Sequence, residues 1–185
     1  MKREYQRLVS EAVDDLAELD RETQAFGLAV PSGIVTHTGV AGLTLGGGIG
    51  WIMRKHGLSV DQLVSVDLVT ADGEFVKASA DENADLFWGL RGGGGNFGVV
   101  TSFVFRLHPV APMLAGMAFY PGDRRAEALH LYQELATTAP RELSLETVLV
   151  TAPPAPFVPE ELRGRPAVGL AGAYFGDPAE GEHAL

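Results

Sequence analysis

Two glycine runs are the residues of this 185-residue chain whose type and spacing point most directly to chemistry. The first reads Gly39-Val40-Ala41-Gly42-Leu43-Thr44-Leu45-Gly46-Gly47-Gly48-Ile49-Gly50 and the second Gly92-Gly93-Gly94-Gly95-Asn96-Phe97-Gly98-Val99-Val100-Thr101. Glycine loses more conformational freedom on folding than any other residue, so a dense run is costly unless positive φ or a side-chain-free approach to a ligand is needed. Successive main-chain N–H groups in such a run make a nest that compensates the charge of a phosphate. A cofactor cradle is the leading reading; the plainer one is that both runs are tight turns.

Composition narrows the chemistry. The chain has no cysteine, which excludes disulfides, thiolate metal sites and cysteine-linked cofactors, so redox work would need a bound cofactor. Fourteen Lys plus Arg against 24 Asp plus Glu give a net charge of -10, which argues against a nucleic-acid partner. The start, Met1-Lys2-Arg3-Glu4-Tyr5, lacks the apolar run of a secretory signal, and no stretch approaches the length of a membrane span. A cytoplasmic location is the default expectation.

Neither common nucleotide fingerprint fits. Gly93 to Gly98 satisfies G-x-G-x-x-G in form, but that pattern has meaning only between a preceding strand and a following helix. Here a helix-like segment precedes it, a β-branched and aromatic strand follows, and the acidic residue expected some distance on is missing. No Gly-Lys-Ser or Gly-Lys-Thr closes either run, so a phosphate-binding Walker loop is excluded.

The elements that position the runs are readable from periodicity. Residues 4–25 read as a helix, with Leu8, Val13, Leu16 and Leu19 as an apolar stripe ending at Gly27. An extended piece, residues 28–33, leads into the first run, and residues 50–56 read as a short helix closed by Gly57. Residues 63–70 and 74–78 form a hairpin around Asp72-Gly73, whose glycine supplies the positive φ of the turn. Asn83 is expected to cap a helix over residues 83–91, followed by the second run and a strand over 99–107 with Val99, Thr101, Phe103 and Phe105 on one side. Pro109 and Pro112 mark a boundary, so residues 1–110 and 111–185 are read as two domains. Beyond it, residues 124–136 read as a helix, and 146–151 and 167–175 as strands.

Four ordered motifs carry a resemblance: Val30 to Gly33, His37 to Trp51, Asp85 to Arg91, and Gly92 to Thr101. Together they closely resemble the berberine-bridge-enzyme-like flavoprotein oxidases of the vanillyl-alcohol-oxidase superfamily, whose FAD-binding domain is of the p-cresol-methylhydroxylase (PCMH) type. The resemblance implies an α+β chain: the second subdomain of a PCMH-type FAD-binding domain, then the start of an antiparallel-sheet substrate domain. By register, the backbone around Thr38, Gly39, Gly42, Leu45, Gly46, Gly47, Gly48 and Ile49 would line the pyrophosphate and isoalloxazine of FAD, and the Gly98-Val99 peptide would pair with the adenine.

The family's first FAD subdomain, with its flavin-linking Gly-His motif, has no counterpart here, and none of His37, His56, His108, His130 and His183 sits in such a motif. Val35 stands where doubly tethered members carry a cysteine, so covalent attachment of the flavin is in doubt. The implied activity is oxidation of an alcohol, sugar or amine, with a small-molecule substrate and molecular oxygen as acceptor, in a chain that reads as a fragment. The alternative is a non-catalytic remnant, or half of a split flavoprotein whose partner chain supplies the missing subdomain.

Other residues draw plainer readings. His37 is read as capping a turn, Trp51 and Trp88 as core, and Arg54-Lys55-His56 as cations at a helix C-terminus. Asp61 and Asp67 could order a loop near the cofactor but show no partner in sequence. Tyr120, Tyr132 and Tyr174 lie in the possible substrate region, and no catalytic base is identified.

Overall fold

The computed structural model describes residues 7–10 and 15–184, with side chains from 15 to 182. Two units divide the chain, Met1–Val110 and Ala111–Leu185. Their architecture is the α+β fold of PCMH-type FAD-dependent oxidases.

In the first unit, strand β1 (Arg7–Ser10) precedes helix α1 (Leu16–Gln24). The single helix expected over residues 4–25 is therefore wrong at its start: Leu8 belongs to a strand, while Val13 lies outside the described residues. Hydrogen bonding to a distant strand overrides the local spacing of Leu8 and Leu16. Helix α1 begins where Asp15 accepts a hydrogen bond from the Glu18 N–H at 3.0 Å, and it buries Leu16, Leu19 and Thr23. Strand β2 (Leu28–Ala29), helix α2 (Val40–Leu45) and helix α3 (Met53–His56) follow. Then come β3 (Leu63–Val69), β4 (Phe75–Ser79), α4 (Ala84–Leu90), β5 (Val99–Arg106) and β6 (His108–Pro109).

The four long strands form one antiparallel sheet in the order β1-β5-β3-β4, and β2 pairs with β6. The β3-β4 hairpin closes as its Asp-Gly turn predicts, with Gly73 at φ 82 and the Thr70 N–H donating to the Glu74 carbonyl at 2.9 Å. Phe103 and Phe105 on β5 stack 5.8 Å apart and, with Val66, Leu68, Leu16 and Leu90, make the core on which the glycine segments rest. Asn83 does not cap α4 as expected. It adopts the left-handed conformation, and its side chain donates to the Lys77 carbonyl at 2.7 Å, so the amide ties the helix start to β4.

The second unit contains β7 (Leu114–Pro121), α5 (Arg125–Thr138), β8 (Leu143–Thr151), β9 (Pro166–Tyr174) and α6 (Pro178–Ala184). Its sheet has three strands, β7-β9-β8, where the sequence shows only two. Both pairings are antiparallel and run without a bulge. Gly116 and Gly172 oppose one another across the sheet, and the missing side chains leave a cavity of about 270 Å³ walled by Leu131, Leu135, Leu145 and Leu170.

Candidate cofactor site

The first glycine run is moored before it begins. The Leu16 N–H donates to the Thr38 carbonyl at 3.1 Å and the Ala17 N–H to the Thr36 carbonyl at 2.9 Å, so the loop satisfies the first-turn amides of α1. Gly39 is the N-cap of α2 and, lacking a side chain, gives it no side-chain cap. Val40, Thr44 and Leu45 bury the inner face of α2, so Leu45 serves the core with its side chain and presents only backbone outward. At the other end the Gly46 N–H donates to the Gly42 carbonyl at 3.2 Å and the Gly47 N–H to the Thr44 carbonyl at 3.0 Å.

The run then docks on a 3-10 turn, Ser59–Gln62. The Gly47 carbonyl accepts from the Val60 N–H and the Gly48 carbonyl from the Ser59 N–H, both at 3.0 Å. Gly48 has φ 78, and a Cβ there would overlap the Ser59 hydroxyl; only glycine satisfies both the backbone and the space. Ile49, immediately after, leaves its side chain 66 % exposed.

The second run forms a 3-10 turn, Gly94–Phe97, which ends at Gly98. Gly98 lies against the Val69 carbonyl, where a Cβ would collide, and Val99 opens β5 opposite Val69. The Phe97 ring covers Gly89 and Gly93 so closely that a Cβ on Gly89 would sit 2.8 Å from it. Helix α2 packs against this turn, so two runs more than forty residues apart in sequence become neighbours.

At five glycines the two runs present bare main chain. At Gly42, Gly47, Gly92, Gly94 and Gly95 the position a side chain would occupy has no atom within 4 Å. Such a surface admits a flat ring or a phosphate to backbone contact distance, so the residues present fit a dinucleotide cofactor. A separate cavity of about 1000 Å³ in the same unit is lined by Ser65, Lys77, Ser79, Glu82, Phe87 and Arg106 and shares no residue with the glycine runs.

Polar side chains near the runs are committed to structure. Gln62, buried, donates to the His56 carbonyl at 2.6 Å and the Leu58 carbonyl at 3.2 Å, which leaves its carbonyl oxygen to accept from His108 Nε2 at 2.7 Å. The His56 and His108 rings stack at 4.0 Å. Burial, aided by the Arg106 charge, holds His108 below the ordinary imidazole value of 6.5. Burial alone pushes the Asp20 carboxyl up.

The weighed residues separate in the structure. His37 is exposed and Trp51 half-buried, but Trp88 is 79 % exposed, contrary to its assignment to the core. Phe87 and Leu90 take the inward face of α4, and the 100° step of a helix turns their neighbour outward. Asp61 does have a partner, Arg91 at 3.1 Å, a pairing across thirty positions that no local pattern announces. Tyr174 is buried and donates to Glu180 at 3.1 Å. Among the described residues no group of three or more His, Asp or Glu could hold a metal ion, and no helix is long and apolar enough to cross a membrane.

Residues 1–79 match the FAD binding domain family. The chain is a relative of the FAD-linked oxidoreductases, with the fold of the berberine-bridge-enzyme-like oxidases. It is 47% identical over 131 residues to an FAD-linked oxidoreductase of Dictyostelium discoideum, covering 70% of this chain and 29% of that protein. Among solved structures it resembles 6-hydroxy-D-nicotine oxidase from Arthrobacter nicotinovorans with a TM-score of 0.83 and 29% identity, over 99% of this chain and 39% of that one. The wild-type berberine-bridge-enzyme-like protein 1 of Physcomitrella patens gives a TM-score of 0.81 and 29% identity, over 96% and 37%. The chain thus spans well under half the length of each of these relatives.

Proposed function

We propose that this chain forms one wall of an FAD site and takes part in the flavin-dependent oxidation of an alcohol, sugar or amine. The observation that carries the reading is the packing of α2 against the Gly94–Phe97 turn, which makes neighbours of two segments that each hold glycines with open space at the Cβ position. Backbone of Thr38, Gly39, Gly42, Leu45, Gly46, Gly47, Gly48 and Ile49 would hold the pyrophosphate and ring system, and Gly98 and Val99 the adenine. A bound flavin would supply the redox chemistry, taking a hydride from substrate and returning the electrons to molecular oxygen.

The chain's own part is to bind and orient. Open glycine faces let a ring or phosphate reach the main chain itself, and the buried side of α2 keeps that backbone from shifting. With no cysteine, and no histidine in the family's flavin-linking motif, the contacts proposed here are non-covalent ones. Titrating the protein with FAD tests this: quenched flavin fluorescence and a shifted visible spectrum are expected, and an unchanged spectrum rejects the site. Anaerobic bleaching of the flavin by members of an alcohol, sugar and amine panel then identifies the substrate class.

A second reading has its own support. Ile49, Trp88 and Val99 are 66, 79 and 71 % exposed in the same unit, apolar side chains that a partner chain completing the FAD site would cover. Native mass spectrometry distinguishes the two: a co-purifying flavoprotein chain favours the split enzyme, and flavin bound to the lone chain favours the first reading.

A further inference from the structure

We infer that Arg91 is a positioning residue that locks the two glycine runs into one register, acting as a strut behind the proposed FAD wall. The inference rests on the FAD reading for its consequence but on geometry for its existence. Arg91 is the residue immediately before Gly92, at the C-terminal end of α4. Its guanidinium reaches back thirty positions: Nε donates to the Val60 carbonyl at 3.3 Å and Nη2 to Asp61 Oδ1 at 3.1 Å. The other oxygen of Asp61 accepts from the Leu58 N–H at 2.9 Å. The cation also lies 5.8 Å from the centre of the Phe87 ring, which limits its swing.

The Ser59–Gln62 turn that Arg91 grips is the one on which the first run rests. The N–H of Val60 donates to the Gly47 carbonyl while its own carbonyl accepts from Arg91, so a single peptide residue joins both partners. The load path runs from Gly47 and Gly48 through Ser59 and Val60 to Arg91, and from Arg91 directly into Gly92. A planar fork can hold two acceptors in fixed relation, which a lysine ammonium on a flexible stem does not. Both members of the pair are partly exposed, with side-chain exposures of 36% and 45%, so its value is alignment rather than net stability.

The test is hydrogen exchange on the purified chain, with and without FAD, in wild type, Arg91→Ala and Arg91→Lys. The Ser59 and Val60 amides are the reporters, because each donates to a glycine of the first run. In Arg91→Ala their exchange is expected to accelerate by about tenfold or more while the β3-β5 ladder stays protected, with Arg91→Lys between it and wild type. If Arg91→Ala folds poorly, Asp61→Asn is the milder variant, expected to accelerate the same two amides to a smaller degree. Unchanged reporters, or acceleration spread evenly over the sheet, would overturn the strut. FAD titration of the same proteins keeps the two ideas apart. Absence of binding by wild type rejects the FAD reading while the exchange result still decides the strut, and equal binding by wild type and Arg91→Ala removes its role at the site.

Discussion

At Gly48 two demands meet that no other residue satisfies, a φ of 78 and a Cβ position already filled by the Ser59 hydroxyl. Gly48→Ala is therefore expected to cost roughly 2 kcal/mol, read as a lower urea midpoint at constant slope. Gly42, inside α2 with open space where a Cβ would stand, supplies the opposite expectation. Gly42→Ala should stabilise the fold by roughly 0.5–1 kcal/mol while obstructing the proposed cofactor face, so stability and FAD affinity should move in opposite directions.

Titration offers a second test at this scale. Because His108 is held below 6.5 in the folded protein, the unfolded chain binds more protons just under that pH, and stability rises with pH up to about 6.5. Unfolding curves across that window should show the slope in wild type, and His108→Gln should flatten it. Asp20 acts with the opposite sign in a lower window. Its raised value means that its contribution is full below 3.8 and is lost as pH climbs through the folded value.

Among the elements, α1 links the core to the site, since its first-turn amides hold Thr36 and Thr38 while Leu16 and Leu19 bury its inner face. Removing its cap with Asp15→Ala is expected to cost about 1 kcal/mol, measured by denaturation. The β3-β4 hairpin was legible because Asp72-Gly73 carries its turn chemistry in two residues, and the end of β5 because Phe103 and Phe105 alternate into the core. Its start was not, since a register shift against β3 leaves Val99 and Thr101 exposed, not beside Phe103 and Phe105 as their alternation implies, and packs Val100 on the core instead. Strand β7 was not, since Ala115, Gly116 and Ala118 have weak strand preference and owe their conformation to β9. Helix α2 was hidden for a related reason: glycines at its ends and middle mask the burial of Val40, Thr44 and Leu45. The pairing of Arg91 with Asp61 lies in tertiary structure alone, and so did the strut.

For the whole molecule, the proposal is that two distant stretches of bare backbone act as one surface. The glycine runs themselves were evident in sequence, but their adjacency depended on α2 meeting the Gly94–Phe97 turn, a tertiary contact that no local pattern announces. The most direct measurement is the amide chemical-shift map of the isotope-labelled chain as FAD is added. The account predicts that amides of residues 38–49 and of 92–99 shift together along one binding curve. Shifts confined to one run, or to residues around the separate Lys77 and Arg106 cavity, would contradict it.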